Sequence, residues 1–206
     1  MAVSGNKRYF EYRGVDNVVY AEVLKDDTTE FTTGTVKHLT GASEIAKETD
    51  SANEAHYYDN IPAVVVSSDG ADTITMDLSG IPLDVLADIT GQYYDPETGM
   101  FVEQERIPKY YAVGYETDKT DGTKVFVWRL KGMFNIPGKT SQTKNTGTDA
   151  NGQQLVYTGI RTTHKFTKNG TGAKAVNVDT SVNVGMTADT FFGTVQTPDT
   201  IALESE

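Results

Sequence analysis

Alternation of apolar and polar residues is the clearest pattern in the first half of the chain. Thr73 to Leu78 places apolar side chains at every second position, as in a strand with one buried face. Ala63 to Ser67 is a run rich in β-branched residues, and the Asp69-Gly70 pair after it has the composition of a tight hairpin turn. The pattern therefore predicts two strands joined at Asp69-Gly70.

One complete helical pattern follows this predicted hairpin. Pro82 suits a first helical turn, where its missing N–H costs nothing. Apolar residues then recur three positions apart from Leu83 to Ile89 and form one stripe. Gly91 suits the left-handed position that ends many helices. We therefore predict a short helix over residues 82–90, packed against a sheet.

Aromatic and apolar residues alternate in a second predicted hairpin. Its strands are Lys109 to Thr117 and Thr123 to Met133, with Asp121-Gly122 in the turn. Aromatic pairs across such a hairpin contribute about 0.2–1 kcal/mol each beyond Ala–Ala. The pattern also predicts strands over residues 7–12, 18–25, 30–39, 100–105, 155–167 and 173–184.

The predicted fold class is mainly β. We expect two packed antiparallel sheets, as a sandwich or an open barrel, with one short flanking helix at 82–90. A second short helix, capped by Thr187, would carry Phe191 and Phe192. The chain shows no internal repeat and no linker, so residues 1–206 are expected to form a single domain.

Three segments are expected to lie outside the core. Residues 41–60 include SEIAKETDSANEAH, which has helical propensity but no apolar stripe, and we interpret them as an extended or mobile arm. Residues 135–153 are rich in Thr, Gly, Asn and Lys and predict a long polar loop. Residues 197–206 predict a mobile acidic tail.

The chain is acidic, with 29 Asp and Glu against 18 Lys and Arg and a formal net charge of −11. Proteins that bind DNA tightly use Lys and Arg to replace its counterions, so specific DNA binding is not expected. No run approaches the roughly 18 apolar residues of a membrane span. The N-terminus lacks the apolar core of a signal peptide, so we expect a soluble protein made in the cytoplasm.

Residues with catalytic or metal-binding chemistry are scattered. The chain has no Cys, and His38, His56 and His164 each lack a second His at ligand spacing. Gly138 to Thr140 looks like the end of a phosphate-binding loop, but Gly132 is one residue too far away and no helical pattern follows. We therefore predict no catalytic residue, no metal and no cofactor, and we expect that the protein is not an enzyme.

Three stretches, taken in order, carry a resemblance. They are TITMDLSGIPLDVLADITG with YYDPETGMFVE, then RIPKYYAVGYET with KVFVWRLKGMFNIP, then AKAVNVDT to TADTFFGTVQTPD. Together they resemble the major tail proteins, or tail tube proteins, of long-tailed siphovirus-type bacteriophages. No motif is unique by itself, but the ordered set is specific and covers roughly Lys7 to Asp199.

The resemblance implies a structural protein of the virion. Relatives form hexameric rings that stack into the tail tube around a tape measure protein, and DNA leaves the capsid through that tube. The implied partners are copies of the chain itself, the tape measure protein, the tail terminator and the baseplate or distal tail proteins. DNA would pass through without specific binding, and assembly would take place in the cytoplasm of the host bacterium.

Six residues are candidate assembly contacts in this interpretation: Tyr58, Asp59, Asp69, Gly70, Pro137 and Lys139. Two alternatives remain open. One is a sugar-binding β-sandwich or virion decoration domain that would use the aromatic hairpin from Tyr110 to Trp128 as its surface. The other is the tube subunit of a bacterial contractile injection system, with the same architecture in a different machine.

Overall fold

The fold is mainly β in a computed structural model that describes residues 9–142 and 151–202. Its elements in chain order are β1 (Tyr12–Asp26), β2 (Phe31–Thr33), β3 (Lys37–His38), β4 (Ala42–Tyr58), β5 (Ile61–Leu78), α1 (Leu83–Thr90), β6 (Tyr93–Asp95), β7 (Met100–Val102), β8 (Tyr111–Lys119), β9 (Lys124–Phe134), β10 (Gln153–Gly159), β11 (Ala175–Asp179) and α2 (Ala188–Gly193). Neither helix in the described ranges is long and apolar enough to cross a membrane.

Nine strands form one antiparallel sheet, in the order β2-β1-β8-β9-β10-β5-β4, with β3 added to β1 and β11 added to β9. Strands β6 and β7 form a small second sheet. The prediction of a mainly β, antiparallel fold with a short flanking helix is therefore confirmed. The helix α1 begins after Pro82 and ends at Gly91, which has a φ of 68° in the left-handed region.

Strand β9 is the point where the large sheet divides. The first half of β9, from Val125 to Arg129, pairs with β11. Its last residues, from Gly132 to Phe134, pair with β10 instead. One long strand therefore supports two other strands, placed end to end along the same edge.

The first core lies inside the curl of the sheet, since β4 returns to contact β1. Alternate residues of β1, β5, β8 and β10 point into it, among them the fully buried Ile74 and Tyr157. Helix α1 covers one end of this core. The hydroxyl of Tyr20 donates a 2.8 Å hydrogen bond to the Asp88 carboxylate, and the Tyr111 hydroxyl donates to the Asp88 carbonyl. These bonds hold α1 against the sheet.

The second core lies on the opposite face of β1, β8 and β9, beneath α2 and β11. Thr187 caps α2 by accepting a 3.3 Å hydrogen bond from the Thr190 amide, as the sequence predicts. Phe191 and Phe192 are buried, and the indole N–H of Trp128 donates to the Phe191 carbonyl at 3.0 Å. The sheet thus carries an apolar core on each face.

The turn predicted at Asp69-Gly70 is wrong, because both residues lie inside strand β5. The ladder between β4 and β5 shifts register between Thr49 and Ser51, so the two strands form a bulge around Gly70. A Cβ on Gly70 would lie 2.9 Å from Oδ2 of Asp50. Glycine often marks such a bulge, so a turn-like composition occurs here within a strand.

The segments expected outside the core have different structures. Most of residues 41–60 belongs to strand β4 and the turn after it. Residues 135–142 are irregular, and the predicted polar loop continues into residues 143–150, outside the described residues. Residues 197–202 are not a free tail, because Asp199 accepts hydrogen bonds from the amides of Thr167 and Lys168 at 2.9 and 2.7 Å. The rest of the predicted tail, 203–206, lies outside the described residues.

Candidate assembly surface

The most exposed part of the molecule is the outer portion of the β4–β5 hairpin, residues 46–70, which we call the projecting hairpin. Every residue in it is exposed, whereas from Asp72 onward every second residue of β5 is buried. At about 3.3 Å per residue, the part of β5 from 61 to 70 is roughly 30 Å long. An isolated two-stranded hairpin is marginally stable in water, so we expect contacts with another chain to stabilise a hairpin of this length.

The tip of the projecting hairpin is a two-residue turn. Tyr58 and Ile61 are the last paired residues, and Asp59 and Asn60 between them have φ values of 51° and 65°. Positive φ at both central positions is typical of a type I′ turn, whose twist matches that of the strands. Asp and Asn tolerate this region better than other residues with side chains. The turn is therefore encoded at Asp59-Asn60.

Apolar side chains occupy both faces of the projecting hairpin. Residues opposite each other in a ladder share a face, and the pairs Tyr58–Ile61, His56–Val64 and Glu54–Val66 put one apolar stripe on one face. Tyr57, Pro62 and Val65 belong to the other face. The exposed fractions are 67% for Tyr57, 63% for Tyr58, 64% for Ile61, 48% for Val64, 66% for Val65 and 51% for Val66.

Strand β4 is also the last strand of the sheet. Its outer backbone edge pairs with no strand in the described part of the chain. A long edge with free N–H and C=O groups is a template for pairing with another chain, and natural proteins usually shorten or cover such edges. This edge is long and uncovered. The projecting hairpin therefore exposes apolar side chains on both faces and unpaired backbone N–H and C=O groups along one edge.

A buried charge cluster holds the base of the projecting hairpin. The carboxylate of Asp72 lies 3.2 Å from Arg129 Nη1, 3.1 Å from Lys174 Nζ and 3.8 Å from Lys47 Nζ. Lys174 also donates to the Gly70 carbonyl. Burial by itself would raise the pKa of Asp72, but the hydrogen bond from Lys174 and the nearby positive charge of Lys47 lower it below its usual value. The carboxylate is therefore ionised at neutral pH and ties β5 to β9.

The six candidate contact residues fall in different places. Tyr58 and Asp59 lie at the tip of the projecting hairpin. Asp69 and Gly70 lie near its base.

The other two candidates, Pro137 and Lys139, lie in the irregular segment after β9, where Pro137 is half-buried and Lys139 is exposed. No hydrogen bond or ion pair among the described residues joins that segment to the projecting hairpin.

The central aromatic residues of the β8–β9 hairpin are not available to a ligand. Trp128 and Tyr111 have no exposed surface, and Tyr115 is 6% exposed. Of the aromatic residues in this stretch, Tyr110 is the one with a substantial exposed area, 42%. A stacking platform for sugars needs exposed rings side by side, so this hairpin does not supply the surface that the sugar-binding alternative requires.

The described residues contain no cluster of three or more His, Asp or Glu side chains with metal-binding geometry. His38 and His56 are exposed, while the His164 ring packs edge-on against Phe166 with a centroid distance of 5.1 Å. Ion pairs with at least one buried partner connect strands, as in Lys119–Asp179 at 2.6 Å and Lys131–Asp26 at 2.5 Å. Several charged residues of the described part of the chain therefore form ion pairs between strands, and the most distinctive surface is the projecting hairpin.

Sequence reasoning missed most of the projecting hairpin. The run from Ile61 to Val66 is a signal of a strand that is covered on both faces. Its partner strand, 43–56, is polar and has helical propensity, so nothing in its own residues predicts that it pairs there. The cluster around Asp72 has no sequence signal, because its members come from β4, β5, β9 and the segment before β11.

No protein family model matches the chain, and no curated protein matches it significantly.

Proposed function

We propose that this chain is the structural subunit of a phage tail tube. It assembles into hexameric rings that stack around a tape measure protein and form an acidic conduit for DNA ejection. The observation that carries the proposal is the projecting hairpin, which exposes apolar side chains on both faces and a free strand edge. The ordered resemblance to tail tube proteins supports the same function.

An apolar strand run is normally buried on both faces by a folded domain. In the single chain, Ile61 to Val66 is exposed on both faces. Burying one Val or Ile side chain contributes about 1.5–3 kcal/mol, so covering several of them is a strong drive for association. Neighbouring subunits in a ring or in the next ring would supply that cover.

The free edge of β4 supports the same proposal. Edge-to-edge pairing of identical subunits extends a sheet from one copy to the next and, in a closed ring, leaves no unpaired edge. Such pairing explains why a soluble protein would keep a long unprotected edge, which otherwise promotes aggregation. Within this proposal, the six candidate contact residues are sites where copies meet.

Acidity fits a conduit for a polyanion. With a net charge of −11, the chain as a whole repels phosphate groups. In this proposal DNA slides through the tube without specific binding, and the chain performs no catalysis and carries no cofactor. The tail terminator and the baseplate or distal tail proteins would bind the two ends of the tube.

Electron microscopy of the purified chain over a range of concentrations tests the proposal. We expect six-fold rings or tubes at high concentration. Val65→Glu, which places a charge on the projecting hairpin, is expected to abolish them. Val184→Glu is the matched control, because Val184 is 78% exposed in another part of the molecule. A protein that stays monomeric at every concentration, or a Val65→Glu variant that assembles as well as wild type, would contradict the proposal.

A further inference from the structure

Charge is unevenly distributed along the chain. The sequence as a whole has 29 acidic and 18 basic residues, but between Asp121 and Asp179 it contains nine Lys and Arg and one acidic residue, Asp149. A basic region within an acidic chain indicates a surface that binds a negatively charged partner. The exposed cations of this region therefore identify a candidate interaction surface that is separate from the projecting hairpin.

Three of these exposed cations lie in residues 160–174, the connection between β10 and β11, which we call the basic loop. The loop contains no Asp or Glu. Its side chains Arg161, Lys165 and Lys168 are exposed. Lys168 donates a 2.8 Å hydrogen bond to a backbone carbonyl, and the described part of the chain holds no acidic partner for any of the three. Their positive charges are therefore available to a partner.

The backbone of the basic loop is held by the rest of the molecule. Phe166 is 2% exposed, and its ring centroid lies 5.9 Å from that of Phe31. The carboxylates of Asp26 and Asp199 accept hydrogen bonds from four backbone amides of the loop. Binding to a partner therefore orders little more than the exposed side chains, which keeps its entropic cost low.

The projecting hairpin is the acidic counterpart of the basic loop. It contains five Asp and Glu and a single Lys, Lys47, which lies 3.8 Å from the Asp72 carboxylate. Glu48, Asp50 and Glu54 are an even number of positions apart in β4, so their side chains share one face. All three are exposed, and no described cation pairs with them. Glu54 belongs to the face with the apolar stripe, so this face combines negative charge with apolar surface.

The two surfaces are not paired within one subunit. No hydrogen bond or ion pair among the described residues joins Arg161, Lys165 or Lys168 to the projecting hairpin. Lys174, at the end of the loop, donates to the Gly70 carbonyl at the base of the hairpin, so the tip lies roughly 30 Å from that contact. Complementary surfaces that stay apart in one chain form a heterologous contact between copies, which closes into a ring or continues as a filament.

We propose that the basic loop of one copy binds the acidic face of the projecting hairpin of a second copy. This inference rests on the proposed function, because it names the surface on which the hairpin docks. Apolar side chains of the hairpin contribute burial, while the opposite charges select the docking surface and its direction. A second copy is favoured over DNA as the occupant, because the chain carries a net charge of −11 and repels a long polyanion.

Two charge-reversal variants of the full-length chain test the inference. The loop variant carries Arg161→Glu and Lys165→Glu, and the hairpin variant carries Glu48→Lys and Glu54→Lys. These four side chains are exposed, and none forms an ion pair in the described part of the chain, so both variants should fold. Each alone should need at least about a tenfold higher concentration than wild type to assemble, because like charges then meet at the interface.

An equal mixture of the two variants is the decisive sample. At every contact between unlike copies, an altered loop meets an altered hairpin or an unaltered loop meets an unaltered hairpin, so opposite charges face each other again. We expect the mixture to assemble at the same concentration as wild type, as measured by sedimentation velocity and electron microscopy. A general effect of net charge or of misfolding would not be rescued by mixing.

The outcomes separate this inference from the tube proposal. If wild type assembles and the loop variant assembles equally well, or if the mixture assembles no better than either variant alone, the basic loop is not the docking surface and the tube proposal stands. A wild-type chain that stays monomeric at every concentration overturns both. Fluorescence anisotropy with a short labelled DNA duplex should show no saturable binding. Binding that the loop variant alone loses would make the loop a DNA contact and would overturn the inference.

Discussion

Arg129 and Asp72 form an ion pair in which Nη1 lies 3.2 Å from Oδ2 and both side chains are almost fully buried. The pair joins the middle of β9 to the point where β5 leaves the body of the molecule. Lys174, which is half-buried, adds a second cation to the same carboxylate. The Asp72 carboxylate therefore ties the base of the projecting hairpin to β9 and to the segment before β11.

Asp72→Asn is expected to be strongly destabilising. Removal of one partner of a buried ion pair typically costs about 3–5 kcal/mol, because the remaining charge stays buried without compensation. Here Arg129 and Lys174 would both lose their carboxylate. Asp69→Asn is a matched control on the exposed part of β5 and should change the free energy of unfolding by no more than about 0.5 kcal/mol. Urea unfolding of both variants measures the difference. Similar decreases in the free energy of unfolding would show that the charge cluster around Asp72 does not stabilise the fold.

The stability of the fold is expected to decrease in acid. The hydrogen bonds from Lys119 lower the pKa of Asp179 to about 2. Burial raises the pKa of Asp26, but the hydrogen bonds from Lys131 and from the Thr163 and His164 amides together lower it below its usual value. A carboxyl whose pKa is depressed by folding stabilises the protein above its unfolded pKa, about 3.9, and this contribution is lost as the pH falls through the folded pKa. Denaturant unfolding from pH 6 to pH 2 should show the loss.

Asp179→Asn tests the assignment of this acid dependence. The variant should be less stable than wild type near neutral pH, because Lys119, whose side chain is 2% exposed, loses its partner. Its stability should also fall less steeply with acid, since one depressed carboxyl is absent. If the free energy of unfolding of the variant depends on pH as steeply as that of wild type, groups other than Asp179 cause the loss of stability in acid.

Two glycines should respond very differently to alanine. A Cβ at Gly132 would collide with the Thr158 carbonyl oxygen and the Tyr157 ring, where β9 meets β10. Overpacking of this kind typically costs about 1–3 kcal/mol. Gly138 has no described atom within 4 Å of the same position, so Gly138→Ala should be close to neutral. The difference between the two melting temperatures checks this prediction.

Trp128 provides an intrinsic probe of the second core. It is the single Trp of the chain, has no exposed surface and donates its indole N–H to the Phe191 carbonyl. We expect a blue-shifted emission maximum, little quenching by iodide and a red shift on unfolding. Strong quenching in the folded protein would show that the indole is accessible and would reopen the sugar-binding alternative.

Hydrogen exchange should distinguish the projecting hairpin from the rest of the sheet. In the free subunit, water reaches both faces of Ile61 to Val66, so these amides should exchange faster than those of Ile74 to Leu78. In assembled tubes the two groups should be similarly protected. Protection of the tip in the monomer equal to that in the tube would mean that the hairpin is already covered.

Local patterns in the sequence predict those elements whose partners are close in the chain. The helix α1, the β8–β9 hairpin and the cap at Thr187 all follow from residues within a few positions of one another. Strand β4 could not be predicted this way. Its residues are held in a strand by pairing with β5, and they show no alternation of apolar and polar residues. Turn composition also misleads at Gly70, which lies in a bulge of β5, whereas the turn is formed by Asp59-Asn60.

The candidate surface is less predictable than the fold. The run Ile61 to Val66 indicates a buried strand from sequence, and its exposure is visible only in three dimensions. The bulge in β1 next to Asn17 is a register shift against β8, and this pairing is visible only in three dimensions. Hydrophobic periodicity in the sequence does not predict which distant strands pair or in which register, so it cannot predict sites that depend on that pairing.

If each face of the projecting hairpin is to keep the same side chains, the number of residues in each of its strands can change only by an even number. Side chains alternate between faces, so adding one residue to each strand would turn Tyr58 and Ile61 toward the opposite side. Adding two residues to each strand would extend the tip by roughly 7 Å and restore both faces. Related chains with hairpins of different length should therefore differ by multiples of four residues, unless a bulge compensates.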